Sequence, residues 1–586
     1  MKQFLKYTFA SALGLVLALV FVISIIGIAV SSGESEEVKI TESHILKLKL
    51  SGNIQDRVAE NPLDVYRELM GGGQASLGLN TLLANIKKAK TDVNISGIHL
   101  EVGYLYAGFA SLDEIRNALT DFKESGKFIT AYSEVYSQKA YYLASVATSL
   151  CIYPEGALEL IGLNSTVSFY TDALKKIGIE PQIIRHGKFK AAVEPFMLKE
   201  MSASNREQVE VYMGSIWDQF LTNVSKERGF TKDRLNAVVD NFEVKTPADA
   251  KQLGLVDELF YKDQLQNHLS ELMQVESFED INFIGIKKYQ RVKNENARTK
   301  FKKDKIAVIY AQGEIQSGKG QETVIGSERI SKAIRKARLD AKVKAIVLRV
   351  NSPGGSALAS DVIWREMRLA KAEKPVVVSM GDVAASGGYY IACDADKIYA
   401  SPTTITGSIG VFGVLMSLEE LYTDKLGITF DQVKTNKFAD LGTNTRPLSE
   451  EEYTIIQQSV VAVYDTFTSK VAQGRKMTQA DVDSIGQGRV WSGVNALNLK
   501  LIDEFGGLQK AIEGAAELAE LEEYRLFELP ELQDPLELLL EEFGGEFEAR
   551  LLKNKLGEEY KHYKALNNIR HLNGIQARMP YQFTIE

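Results

Sequence analysis

Histidine is scarce in this chain, with six residues in 586 and none between His268 and His562. That gap excludes a Ser-His-Asp triad from the long stretch between them, and no multi-histidine metal site is in prospect. Cysteine is scarcer still: Cys151 and Cys393 are the whole complement, with no C-x-x-C pair. A disulfide framework and a zinc site are therefore excluded. Both cysteines lie in apolar, strand-like surroundings and are expected as buried, unpaired thiols. No long basic run occurs, and Lys+Arg 69 against Asp+Glu 77 leaves a net charge of −8, which argues against a nucleic-acid partner. What is present is ordinary for a globular chain, 45% hydrophobic and 25% charged, and disorder is excluded on those grounds. At roughly 100–200 residues per domain, the length allows two to four domains.

Residues 8–30 run 23 positions without a charge. As a helix at 1.5 Å per residue they would reach roughly 35 Å, enough for a hydrocarbon core of about 30 Å. Lys2 and Lys6 precede the run, and Glu34, Glu36 and Glu37 follow it. The positive-inside bias then keeps the N-terminus in the cytoplasm and sends the body across. Ala29-Val30-Ser31 would pass as a signal-peptidase site. The run is nonetheless longer than the roughly 7–15 residues of a signal h-region, so an uncleaved single-pass anchor is the favoured expectation.

Two segments of the chain match when shifted by 248 positions. Gly97-Ile-His-Leu-Glu-Val102 falls on Ala345-Ile-Val-Leu-Arg-Val350, Tyr141-Tyr142-Leu143-Ala144 on Tyr389-Tyr390-Ile391-Ala392, Pro154 on Pro402 and Gly162 on Gly410. The expected organisation is a cytoplasmic stub and anchor over 1–33, a first repeat over 45–290, a second over 305–520 and a helical tail over 521–586. A charged linker, 287–305, separates the repeats. In the second repeat IAVIYA (306–311), AIVLRV (345–350) and PVVVSM (375–380) read as buried strands. Helix-spaced apolar residues over 327–341 and 357–372 lie between them. Continuous apolar strands alternating with helices imply a mostly parallel sheet in an α/β domain.

Three strand ends of the second repeat are rich in glycine: Asn351-Ser-Pro-Gly-Gly-Ser356, Ala385-Ser-Gly-Gly-Tyr389 and Thr406-Gly-Ser-Ile-Gly410. Glycine at such turns frees backbone N–H groups to face a ligand, the construction of an oxyanion hole. Each turn carries a serine, and Ser386 is not in a G-x-S-x-G elbow, which weakens an α/β-hydrolase reading. Without histidine, the common base left for serine is a lysine made neutral by burial. The duplication bears on where it lies. Ser386 aligns with Gln138 and Gly354-Gly355 with Tyr106-Ala107, so the first repeat lacks both nucleophile and glycine turn. Conversely, at a shift of 249, Lys190 in GKFKAAVEPF aligns with Ala439 in NKFADLGT. Such reciprocal loss is expected of one composite site drawing on both repeats.

MGDVAASGGYYIA, NSPGGS, TGSIGVFG and GKFKAAVEPF closely resemble the motifs of the signal peptide peptidase A (protease IV) family, serine peptidase family S49, in its long duplicated form. The resemblance covers nearly the whole chain. It implies tandem Clp-protease/crotonase-like α/β domains after one N-terminal transmembrane helix, and a Ser-Lys dyad that degrades cleaved signal peptides through an acyl-enzyme. Carried over position by position, Ser386 is the expected nucleophile, Lys190 the general base and Ser408 the residue that orients the lysine. Gly354 or Gly355 with Gly387 would form the oxyanion hole. The resemblance further implies a homotetramer of the bacterial inner membrane acting on apolar peptides, its N-terminus cytoplasmic and its catalytic body in the periplasm. No metal or organic cofactor is called for. Two rivals share parts of this pattern. A crotonase-type acyl-CoA enzyme would have no use for an anchor or a Ser/Lys pair, and an inactive envelope scaffold would be indifferent to replacement of Ser386.

Overall fold

In the computed structural model, described residues run continuously over 38–59, 77–293, 303–532 and 575–579, with scattered positions within 3–17 and 555–563. Among them no helix is long and apolar enough to cross a membrane. The anchor expected over 8–30 falls mainly outside the described residues.

Strands β1 (His44–Gln55), β2 (Leu77–Gly78), β3 (Ile95–Tyr106), β4 (Phe128–Tyr136) and β5 (Ser149–Leu158) begin the first sheet, while β6 (Glu180–Arg185) leaves it for another. With β7 (Glu258–Leu259) and β8 (Asn282–Gly285), seven described strands take the order β2-β1-β3-β4-β5-β7, with β8 also paired to β1. Every pair in this sheet is parallel.

The second repeat continues with β9 (Lys305–Gln312), β10 (Glu314–Gln316), β11 (Gly320–Gln321), β12 (Val324–Gly326), β13 (Val343–Ser352), β14 (Gly354–Ser356) and β15 (Val376–Ala385). It goes on with β16 (Lys397–Ala400), β17 (Ile405–Gly407), β18 (Phe412–Ser417), β19 (Val490–Ser492) and β20 (Glu504–Phe505). The tail adds β21 (Arg525–Leu529) and β22 (Ile575–Arg578). One sheet runs β19-β17-β15-β13-β9-β21, with β16 and β20 joined at β15. Its centre repeats the first sheet, with β9, β13 and β15 standing where β1, β3 and β4 stand. The chain is thus an α/β protein with a duplicated domain. The three apolar runs expected as strands are β9, β13 and β15, nearly continuously buried, as strands covered on both faces must be. The helix Ser327–Leu339 turns Ile330, Ala333, Ile334 and Ala337 inward, and Ala357–Lys371 turns in Ile363, Trp364, Met367 and Ala370, both at helical spacing.

A third sheet, β11-β12-β10-β14-β22-β18-β6, takes strands from both repeats and from the tail. β6 pairs antiparallel with β18 from Arg185↔Phe412 to Glu180↔Ser417, so the first repeat reaches across the second. Buried polar contacts reinforce this junction. Arg349 on β13 is wholly buried, with Nη2 at 2.8 Å from Asp56 and 2.6 Å from Glu114. Burial would pull that guanidinium's pKa down, and the two carboxylates outweigh it, so the side chain stays charged. Asp382 accepts from Gly108 N, Ser111 N and Ser111 Oγ, at 3.2, 2.8 and 2.7 Å.

Two segments differ from their expected form. The linker is not wholly outside the core: Ile286–Gln290 is a helix, and Tyr289 and Val292 are buried in the first core. A pattern dominated by lysine hid two apolar anchors. In the tail, the stretches expected as amphipathic helix, Leu536–Leu540 and Phe547–Leu552, lie outside the described residues. Its two described strands, β21 and β22, come from positions with no helical pattern.

Candidate active site

Ser386 stands where β15 ends and the short helix Gly387–Ala392 begins. Its N–H donates to the Gly407 carbonyl at 2.8 Å, and its own carbonyl accepts from Tyr390 N at 2.8 Å. The turn is tight enough to hold φ at +56°, a region that a residue with a Cβ occupies only under surrounding constraint. The parallel β15–β17 pairing, Ala385↔Gly407, supplies that constraint. Ser408, one residue beyond β17, is held in the same way at φ +51°, its N–H donating to Arg489 O at 2.7 Å.

Lys190 comes from the first repeat, on the loop after β6. The antiparallel β6–β18 ladder brings that loop over the second repeat. There, Phe189 N donates to Gln487 O at 3.0 Å. Gln208 bridges the two sides, Nε2 donating to Phe189 O at 3.2 Å and Oε1 accepting from Val490 N at 3.1 Å. Gly488 presses on the lysine so closely that a Cβ there would lie 2.7 Å from Lys190 Cα. The amine ends 2.8 Å from Ser386 Oγ and 3.1 Å from both the carbonyl oxygen and Oγ of Ser408. Lys190, Ser386 and Ser408 are all fully buried. No carboxylate among the described residues pairs with Lys190. Desolvation therefore pushes its pKa well below the ordinary lysine value, because burial penalises the charged form. The nearby apolar side chains Phe189, Val193 and Phe196 each have other neighbours. Phe189 faces Arg489, and the other two join Phe412 and Val414. The backbone at Gly410 and Gly488 closes on the lysine itself, Gly410 near Cδ and Gly488 near Cα and Cβ.

Gly354 lies against the turn that carries Ser386, and Gly355 against Ile315. Gly354 and Gly355 have φ of +95° and +153°, and a Cβ on Gly354 would lie 2.7 Å from Gly387 N. Gly354 N donates to Ser352 Oγ at 3.1 Å, and Gly355 is paired with Ile315 on β10 and Ala577 on β22. In the first repeat, Gln138 takes the place of the serine, and its amide holds the chain at Ile161 and Gly162. Ala439, the counterpart of Lys190, is exposed. Motif reading missed Gln208, Gly488 and Ser352; a fourth glycine-rich turn, Gly486-Gln-Gly488, was the available signal for one of them.

Residues 121–276 and 368–522 match the Peptidase family S49 model, and residues 298–406 match that of Clp protease. The chain belongs to peptidase family S49. It is a serine protease with a duplicated, Clp-protease-like α/β fold. A "Serine protease SPPA, chloroplastic" of Arabidopsis thaliana is 34% identical over 92% of this chain and 78% of its own. "Protease 4" of Salmonella typhi is 36% identical over 90% and 86% respectively. "Protease 4" of Haemophilus influenzae is 36% identical over 86% and 83%. Among the described residues of this S49 peptidase, no cluster of three or more His, Cys, Asp or Glu is placed to hold a metal ion. Cys151 and Cys393 are free and buried.

Proposed function

We propose that this S49 peptidase is a membrane-anchored endopeptidase that degrades cleaved signal peptides through a Ser386–Lys190 dyad. The observation that carries the reading is the 2.8 Å approach of Lys190 Nζ to Ser386 Oγ, with no carboxylate among the described residues paired to the amine. A neutral amine has two N–H bonds and one lone pair. The two contacts to Ser408 absorb the N–H bonds, and the lone pair is then left for the Ser386 proton. Lys190 takes that proton as Ser386 Oγ attacks the scissile carbonyl, and N–H groups among Gly354, Gly355 and Gly387 hold the developing oxyanion. The ammonium next protonates the leaving amine. Once neutral again, it activates the water that frees the acyl group. Each oxyanion donor is worth about 10²–10³ in rate.

Anchorage is supported by the uncharged run over 8–30, whose described positions, all before residue 18, are helical and leave Phe9, Leu13 and Leu17 exposed. This orientation puts the catalytic body in the periplasm of a bacterial inner membrane, where detached signal peptides accumulate. Exposed Leu426, Ile428, Phe430 and Val433 after β18 suit contact with further copies, in keeping with a homotetramer. The test is cleavage of casein and of a synthetic signal peptide. Ser386→Ala and Lys190→Ala should each lower kcat/KM by about 10⁴-fold or more, since such groups act as a unit. Substantial turnover by either variant, with an unchanged far-UV spectrum, would overturn the assignment.

A further inference from the structure

The last described strand of the chain lies across the candidate active site. β22 is inserted between β14 and β18 and runs antiparallel to both. Gly354, Gly355 and Ser356 face Arg578, Ala577 and Gln576, and Met579 N donates to Pro353 O at 2.7 Å. The Ala577 carbonyl oxygen lies so near Gly354 and Gly387 that a Cβ on either would stand 2.1 or 3.0 Å from it. Two glycines of the expected oxyanion hole, Gly354 and Gly387, therefore close on one tail carbonyl, and the third, Gly355, pairs with the same residue in the ladder. Ala577 is fully buried, and Met579 packs with Ala385, Ile405 and Val490. Arg578 pairs with Glu314 at 3.0 Å.

Without β22, β14 and β18 would each expose one edge across a gap the width of one strand. Backbone pairing on both edges is how an extended peptide gains affinity without a specific sequence. A covalently tethered tail competes for that gap at an effective concentration near millimolar. We propose that Ile575–Met579 occupies the substrate's path, so that the tail is a tethered competitor and its side chains report the subsites. The inference rests on the peptidase reading of Ser386. The substrate it describes is an extended peptide with an alanine-sized residue on the acyl side of the cut. On the leaving side a basic residue reaches Glu314.

The test compares the full chain, a chain ending at residue 574, and full-length Ala577→Trp, each checked by far-UV circular dichroism. On a quenched-fluorescent peptide, both altered proteins should show kcat/KM raised about tenfold or more. A free octapeptide of sequence NGIQARMP (573–580) should inhibit the truncated chain competitively, and its tryptophan-for-alanine version should not. The octapeptide, fluorescein-tagged, should also bind truncated Ser386→Ala and not full-length Ser386→Ala in fluorescence anisotropy. Measurable and equal kcat/KM in all three proteins, or equal anisotropy changes with the two Ser386→Ala proteins, would overturn the proposal. Selective binding to the truncated chain without cleavage by any variant would support the tail's place and fault the Ser-Lys reading alone.

Discussion

An amine removed from water and given no carboxylate partner loses both of the things that keep it protonated. Lys190 is in that position, with hydroxyl and carbonyl oxygens of Ser386 and Ser408 as its neighbours and its pKa driven down by burial. The arrangement has a cost in stability whose sign follows from linkage. The unfolded chain, with a lysine pKa of about 10.4, binds the proton more readily than the folded one. Below the depressed folded value the site opposes folding in full, and the penalty fades as pH rises towards about 10.4. Lys190→Met keeps the length of the side chain and removes the ionisable group. It should be inactive and at least as stable as the parent in a thermal melt at pH 7. A variant melting well below the parent would mean that Lys190 is a charged structural lysine.

Placement of that amine is the work of two elements that meet from different repeats, the β6–β18 ladder and the Gly486–Arg489 turn. Gly488 has φ +81°, and its missing Cβ leaves room for the Lys190 backbone. Gly488→Ala should displace the lysine and lower kcat by about 10², the usual cost of misplacing a catalytic group by about 1 Å. KM and the far-UV spectrum should change little, and unaltered kcat would show that the turn does not position the base. The elements also divide by how readily the sequence shows them. β9, β13 and β15 were legible because each is a short apolar run between turns, and the helices beside them because Ile330 to Ala337 and Ile363 to Ala370 keep helical spacing. β6, β18 and β22 were not. Their pairing depends on partners from both repeats and from the tail, and periodicity within a segment says nothing of partners so far apart in the chain.

At the scale of the whole molecule, the proposed site draws on both copies of a duplicated domain. One repeat carries the lysine loop and has Gln138 at the serine position, while the other carries Ser386 and has Ala439 at the lysine position. That asymmetry was readable by laying the repeats on each other, Gln138 against Ser386 and Ala439 against Lys190. The contact itself was not readable, because Lys190 and Ser386 are 196 residues apart. The β6–β18 ladder brings the two together, and the polar contacts of Arg349 with Asp56 and Glu114, and of Asp382 with Ser111, reinforce the junction between the repeats. The measurement that bears most directly on this shared site is the pH dependence of kcat/KM for a soluble peptide, taken from pH 5 to 10. A neutral-lysine base predicts a rise with unit slope through a single midpoint well below 10.4, with no such titrating activity in Lys190→Met. A rate flat across that range, or a titrating rate that survives Lys190→Met, would contradict it.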